Sequence, residues 1–156
     1  MDAQGNSEAL SGYGTGFFLT VGGTKIEIDE VTKVPFAEET ADAIEVTHYK
    51  SPNRRKEYKA GMIESGEDTL ELNYIPGSAT DVAIRTAHNT GEVCAYETYL
   101  PAPENKWWKV SGYLIVLARG RAVPMNDRMT QSVTVRFTGA SAEATAASQP
   151  DVTGGA

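Results

Sequence analysis

The sequence predicts a mainly β protein: a small antiparallel β-sandwich or barrel with one packed α-helix and a long loop between two strands. Apolar residues recur at every second position in several short runs that Gly, Pro or Asn separate, which is typical of half-buried strands. Only Ser78–His88 has helical spacing. The stretch Ile44–Gly61, within the long loop 36–66, is too long for a simple hairpin turn. Strands and a helix that are each apolar on one side must cover one another, so a layered fold follows.

Composition limits the classes of protein that this chain can belong to. Its 156 residues suffice for one domain with one core. The net charge of −7 argues against gripping nucleic acid, because phosphate binding needs a basic surface. Cys94 is the one cysteine, which excludes an internal disulfide and predicts a small buried side chain. No apolar run approaches the about 18 residues of a membrane span, so we expect no membrane partner and synthesis in a reducing cytoplasm.

The first elements are a flexible arm and a hairpin. Residues 1–12 are small and polar and predict the arm. The apolar run Gly16–Val21 and the alternating run Thr24–Asp29 predict two strands, and Gly22-Gly23 between them permits a two-residue turn. From Val31 to Ala43 the alternation fades.

The next strand and the helix follow the long loop. Thr69–Ile75 alternates and predicts a strand with Leu70, Leu72 and Tyr74 facing inward. In the helix, Ser78 or Thr80 can cap the first turn, and the stop signal is Asn89 to Gly91. The stripe predicted to be buried consists of Ala79, Val82, Ala83, Thr86 and Ala87.

Three further strands close the predicted domain, which spans residues 13–138. They are Val93–Leu100, Trp107–Arg119 and Ser132–Thr138. Within the second strand, Tyr113–Ala118 is apolar on both faces, so both faces should be covered. In the third strand, Val133, Val135 and Phe137 should face inward. Residues 139–156 are rich in Ala, Ser, Thr and Gly and predict a low-complexity tail.

The segment 36–66 lies where charges of opposite sign separate along the chain. Residues 27–45 hold seven acids against one Lys, and residues 64–71 hold four acids. Between them lie five cations: Lys50, Arg54, Arg55, Lys56 and Lys59. Such blocks can form local surface salt bridges, or they can pair the basic loop of one copy with the acidic surface of another. A turn is expected at Ser51-Pro52-Asn53, and Arg54–Ala60 could add a helical turn that Gly61 ends.

The sequence gives little indication of enzyme chemistry, and we expect no cofactor and no metal. His48 and His88 lie on different elements, without a Cys at ligand spacing. The glycine-rich stretch 12–16 precedes a strand rather than a helix, so it lacks the context of a phosphate-binding loop. No nucleophile elbow or dinucleotide fingerprint is present.

The long loop and the strand that follows it contain four short stretches that form a pattern. They are Thr47-His48-Tyr49-Lys50-Ser51-Pro52, Arg55-Lys56-Glu57-Tyr58-Lys59-Ala60-Gly61, Gly66-Glu67 and Asn73-Tyr74-Ile75-Pro76. Together with the order of elements, this pattern resembles the major tail tube protein of lambda-like siphophages over about residues 13–138. The chain departs from the pattern at Asn53-Arg54, where small flexible residues are common.

This resemblance implies a structural virion protein whose hexameric rings stack into a tail tube, a channel for DNA ejection. The loop 36–66 would order on stacking, and the implied stacking residues are Lys50, Ser51, Pro52, Arg54, Arg55, Glu57 and Tyr58. Glu27, Asp29 and Glu71 are candidates for acids that face the lumen and repel DNA. The implied partners are further copies of the chain, a tape-measure protein, a tail terminator and baseplate or tail-tip proteins.

Three other functions remain open from the sequence. A neck or tail-completion protein of the same virion would cap a tube instead of polymerising, and a type VI secretion tube subunit has a related architecture. A small cytoplasmic binding domain would use an aromatic cleft around Trp107, Trp108 and Tyr113.

Overall fold

The computed structural model describes residues 10–150 and confirms a mainly β fold, antiparallel throughout, with one α-helix. The strands are β1 (Gly16–Val21), β2 (Thr24–Glu27), β3 (Val31–Lys33), β4 (Thr40–Glu45), β5 (Tyr58–Glu64), β6 (Glu67–Asn73), β7 (Cys94–Ala102), β8 (Lys106–Ala122) and β9 (Thr130–Ala146), and the helix is α1 (Ala79–Thr90). Residues 1–9, most of the predicted arm, lie outside the described part of the chain.

Seven strands form one curled sheet in the order β2-β1-β7-β8-β9-β6-β3. Its two edge strands, β2 and β3, are joined by only three residues, 28–30, which span at most about 15 Å. The connection is bonded on both sides: the Ile28 N–H donates to the Phe17 carbonyl at 2.9 Å, and the Asn73 N–H donates to the Glu30 carbonyl at 3.0 Å. The sheet therefore curls around its core until its two edges lie near each other, but among the described residues β2 and β3 do not pair and remain edge strands.

The core lies inside this curl and contains the alternate residues that the sequence predicts. Leu70, Leu72, Val133, Val135, Phe137 and Cys94 are all buried. The Tyr96 ring lies between the rings of Phe17 and Phe137, with centroid distances of 6.2 and 5.3 Å. Aromatic contacts of this kind add to the free energy gained from burial.

Helix α1 begins where the sequence predicts, but its buried stripe is rotated. Ser78 caps it by accepting a hydrogen bond from the Asp81 N–H at 3.2 Å. Ala83 and Ala87 are buried as predicted, whereas Val82 is 44% exposed and the fully buried Ile84 was missed. Polar contacts of the first turn orient the helix: the Thr80 hydroxyl accepts from the Asp29 N–H, and Asp81 lies 3.7 Å from Arg119.

Strand β9 runs to Ala146, beyond the predicted strand Ser132–Thr138 and into the stretch predicted to be a tail. The extension pairs with β8 in the register Trp107↔Ala146 and Val110↔Glu143. A register shift near Thr138 accompanies Gly139, whose φ of 73° suits a bulge. Strand pairing needs backbone groups rather than apolar side chains, which explains why composition did not reveal it.

The two-sided burial predicted for Tyr113–Ala118 is also wrong. Leu114 and Val116 face the core at 0% and 4% exposure. On the other face, Tyr113 is 52% and Leu117 is 43% exposed among the described residues. This face of β8 is uncovered in the single copy because the sheet curls around only one of its faces.

The segment 36–66 holds a β-hairpin, β4–β5, which forms a separate two-stranded sheet. The helical turn predicted for Arg54–Ala60 was wrong, because Tyr58 already begins β5 and Gly61 lies inside that strand. A tight turn lies where the sequence predicts one, and the Arg55 N–H closes it by donating to the Pro52 carbonyl at 3.1 Å. Pairing with the extended β4 determined this conformation, and that partner is not visible in the local sequence.

Candidate functional site

The β4–β5 hairpin projects from the domain with its side chains uncovered. All six residues of β4 are exposed, and cross-strand pairs such as Ile44↔Lys59 and Glu45↔Tyr58 hold the hairpin together. Ile44 is 52% exposed, Met62 88% and Ile63 67%. An isolated two-stranded hairpin is marginally stable in water, and a concentrated set of exposed apolar side chains marks an interaction surface.

The tip of the hairpin, residues 46–57, is held by a polar network. The Ser51 hydroxyl donates to the Glu57 carboxylate at 2.6 Å and accepts from the His48 N–H at 3.0 Å. Nε2 of His48 lies 3.4 Å from the same carboxylate, and the Glu57 N–H donates to the Thr47 hydroxyl at 3.0 Å. The Thr-His-x-x-Ser motif and Glu57 therefore act locally, by shaping the tip.

The apex of the tip has an unusual backbone. Asn53 and Arg54 are consecutive residues with φ of 54° and 57°, in the left-handed region that non-glycine residues seldom adopt. Such strain is often found at functional sites. It falls at the position where the chain departs from the family pattern, and it places Arg54 and Arg55 at the apex.

The cations of the hairpin are exposed and have no ion-pair partner within residues 10–150. They are Lys50, Arg54, Arg55, Lys56 and Lys59. Of the two interpretations of the charge blocks, local salt bridges therefore do not account for this block. The positive electrostatic potential of these five side chains can therefore attract an acidic partner outside the described part of the chain.

A second feature, which the sequence did not indicate, is a cleft of about 460 Å³ next to the base of the hairpin. We call it the acidic cleft, and it is lined by Phe36, Ala37, Glu39, Tyr96, Val110, Ser141 and Glu143. The Ser141 hydroxyl donates to Glu39 at 3.0 Å. Burial, together with the Glu39 carboxylate, raises the pKa of the Tyr96 hydroxyl above its ordinary value. The cleft exists because the C-terminal half of β9 brings Ser141 and Glu143 opposite the chain segment that enters β4.

The three acids proposed for the lumen lie around the line where the two sheet edges lie near each other. Glu27 ends β2, Asp29 follows it, and Glu71 lies on β6 beside the other edge strand. Burial, and then the neighbouring Asp29 carboxylate, raise the pKa of Glu27. Glu71 is exposed and lies opposite Ser132.

The aromatic residues do not form the cleft that a small binding domain would use. Trp107 and Trp108 are successive residues of β8, so their side chains point to opposite faces of the sheet. In residues 10–150, no group of three or more His, Cys, Asp or Glu side chains could hold a metal ion. No helix in that range is long and apolar enough to cross a membrane.

Comparison with known proteins decides among the functional classes. The family model described as lambda phage tail tube protein matches residues 14–144. The chain belongs to the lambda phage tail tube protein family. It is therefore a structural protein of the tail tube and a component of the virion tail. No curated protein matches the sequence.

Solved structures of tail assemblies share the fold of this family member. The tail of an empty gene transfer agent particle, determined with C6 symmetry, matches with a TM-score of 0.64 and 19% identity over 86% of this chain and 98% of that one. The SPP1 tail tube matches with a TM-score of 0.55 and 12% identity over 86% and 77%. The anti-feeding prophage tube terminating cap matches with a TM-score of 0.58 and 16% identity over 94% of this chain and 100% of that one.

Proposed function

We propose that identical copies close into hexameric rings and that these rings stack into the phage tail tube through which DNA is ejected. One observation carries the proposal: the β4–β5 hairpin leaves apolar side chains and five cations without a partner in its own described chain. A surface of this kind needs a neighbour. The same surface of every copy must meet a different surface of the next, and such heterologous contacts generate rings and filaments.

Ring closure would also cover strands that the single copy leaves open. Strands β2 and β3 are the edges of the seven-stranded sheet, and each side of the β4–β5 pair is free among the described residues. Exposed edges promote aggregation unless another chain covers them. Side-by-side extension of the sheets in a ring would satisfy these backbone groups, and the C6 symmetry of the gene transfer agent tail supports six copies.

Stacking would bring the hairpin of one copy onto the acidic surface of a copy in the next ring. In this arrangement Lys50, Arg54 and Arg55 supply positive charge at the tip, while Tyr58 supplies apolar contact along the strand. Ser51, Pro52 and Glu57 shape the tip. Opposite charges steer the encounter and set the register of the two copies.

The first test is electron microscopy of the purified wild-type protein at high concentration and of the variant Arg54→Glu/Arg55→Glu. We expect hollow tubes from the wild type and folded monomers from the variant, because reversing two charges at the apex turns attraction into repulsion. Circular dichroism and thermal unfolding check that the variant is folded. Tubes of normal length from the variant would remove the tip from the stacking contact.

We further propose that the finished tube contacts a tape-measure protein, a tail terminator and baseplate or tail-tip proteins. The shared fold with a tube terminating cap supports an end contact between like-shaped subunits. The same likeness supports a second candidate function, a tail-completion protein that caps a tube. Such a protein would form single rings that remain single at high concentration, so the same micrographs separate the two functions.

A further inference from the structure

We propose that the acidic cleft is the receptor for the tip of the next copy, and that it takes up the guanidinium groups of Arg54 and Arg55. This inference rests on the proposed stacking of rings, and it specifies which surface of the next copy the hairpin contacts. Two independent features support it: the chemistry of the cleft, and the distance between the cleft and the tip within one chain.

The cleft offers acceptors that lack a basic partner. Within residues 10–150, neither Glu39 nor Glu143 pairs with a Lys or an Arg. Tyr96 is only 3% exposed, yet in the same range its hydroxyl makes no hydrogen bond. Gly112 makes room for this hydroxyl, since a Cβ there would lie 3.2 Å from it. The hydroxyl oxygen itself is open to solvent where Tyr96 lines the cleft, so it is available to an occupant as a donor and an acceptor.

The shape and charge of these groups suit arginine. A guanidinium group presents five N–H donors in one plane and binds carboxylates through paired hydrogen bonds. Phe36, 40% exposed at the wall of the cleft, offers a ring face for a cation. The volume of about 460 Å³ leaves room for the long side-chain stem. Glu39 is already oriented by the Ser141 hydroxyl.

A tip cannot reach the cleft of its own chain. Glu39 directly precedes β4, and the six residues of β4 carry the chain about 20 Å away before the tip begins. Strand β5 returns along the same path, so Arg54 and Arg55 remain at the far end of the hairpin. Only a second copy can bring tip and cleft together. Each copy then gives a tip to one neighbour and a cleft to another, and the contact repeats along the tube.

A charge exchange tests the receptor. Glu39→Lys/Glu143→Lys should stay monomeric, as Arg54→Glu/Arg55→Glu should, while the variant with all four substitutions should recover tubes. An equimolar mixture of the two double variants should also form tubes, since each supplies what the other lacks. Glu104→Lys/Asp127→Lys changes the net charge equally outside the cleft and should polymerise like the wild type. Tube length and mass are measured by electron microscopy and pelleting.

Cross-linking gives a readout that does not depend on loss of assembly. Tubes of Arg55→Cys/Glu143→Cys should form a ladder of disulfide-linked copies on mild oxidation, whereas Arg55→Cys/Asp127→Cys should not. The native Cys94 is 1% exposed and does not compete. Tubes without a ladder, or a four-fold variant that stays monomeric, would overturn the receptor and leave stacking intact. Wild-type protein that forms no tubes would contradict the proposed function itself.

Discussion

At the scale of single residues, most charged side chains of this protein are spread over the surface, but one trio is concentrated on the face of the sheet opposite the core. Glu97 on β7 receives a hydrogen bond from Lys25 at 2.6 Å and contacts Lys109 at 3.0 Å. Its side chain is 17% exposed, so solvent screens these contacts less than it screens most surface pairs. Burial alone would raise the pKa of Glu97, but the two lysines outweigh it and hold the pKa below its ordinary value of 4.5.

We therefore predict that Glu97→Gln lowers the free energy of unfolding at pH 7 by about 1 kcal/mol, the scale of one charge-assisted contact near the surface. Because the folded state lowers this pKa, the stabilisation is complete above pH 4.5 and is lost as the pH falls through the folded-state pKa. The gap between variant and wild type in urea unfolding should thus narrow in acid. Glu104→Gln is the control, because Glu104 is highly exposed and lies 3.7 Å from Lys106. Equal effects from both substitutions would refute the role of the trio.

At the scale of elements, the hairpin shows how a short polar network can order a segment that buries almost nothing. The tip depends on the Ser51 hydroxyl, which links the His48 N–H to the Glu57 carboxylate. The rest of the hairpin is held by one pair of strands with a register shift beside Gly61. Local stability is therefore lower here than in the seven-stranded sheet, as expected for a segment that awaits a partner.

We predict that Ser51→Ala speeds amide hydrogen exchange at His48 and Glu57 by roughly tenfold, since about one hydrogen bond of 1.4 kcal/mol is lost in the open tip. Exchange in β8 and β9 should not change. Ser141→Ala removes another hydroxyl bonded to a carboxylate and should leave the tip as it is. If exchange at the tip stays slow without Ser51, the contact between His48 and Glu57 suffices to hold it.

At the scale of the whole molecule, acidity suits a channel that DNA must pass without sticking. We predict that Glu27→Lys/Asp29→Lys/Glu71→Lys still forms tubes but slows or blocks DNA ejection, because lysines in a lumen would bind phosphates. The measurement is infectivity and ejection from particles that carry the variant. Glu38→Lys/Glu92→Lys/Asp127→Lys matches the charge change at other positions. Unchanged infectivity of the first variant would show that these acids do not face the lumen.

Some structural features of this protein could be predicted from the sequence, and others could not. The inward positions of β9, Val133, Val135 and Phe137, followed from alternation alone. The chemistry of helix caps left Ser78 and Thr80 as candidates, and the structure shows that Ser78 is the cap. The sequence pattern predicts a loop where the hairpin lies, because the hairpin strands bury no face and a strand without a buried face shows no clear period. The acidic cleft was not foreseen, because Glu39 and Glu143 are far apart along the chain.

The sequence by itself determined the fold class, the family, the buried faces of the main strands and the position of the basic block. Each of these features depends on residues that are close together along the chain or on the order of short motifs. Only the tertiary structure decided that the loop is a hairpin, that β9 continues to Ala146 and that two carboxylates share a cleft with Tyr96. These features arise from pairing between distant strands, whose partners and register depend on how the whole chain closes around its core.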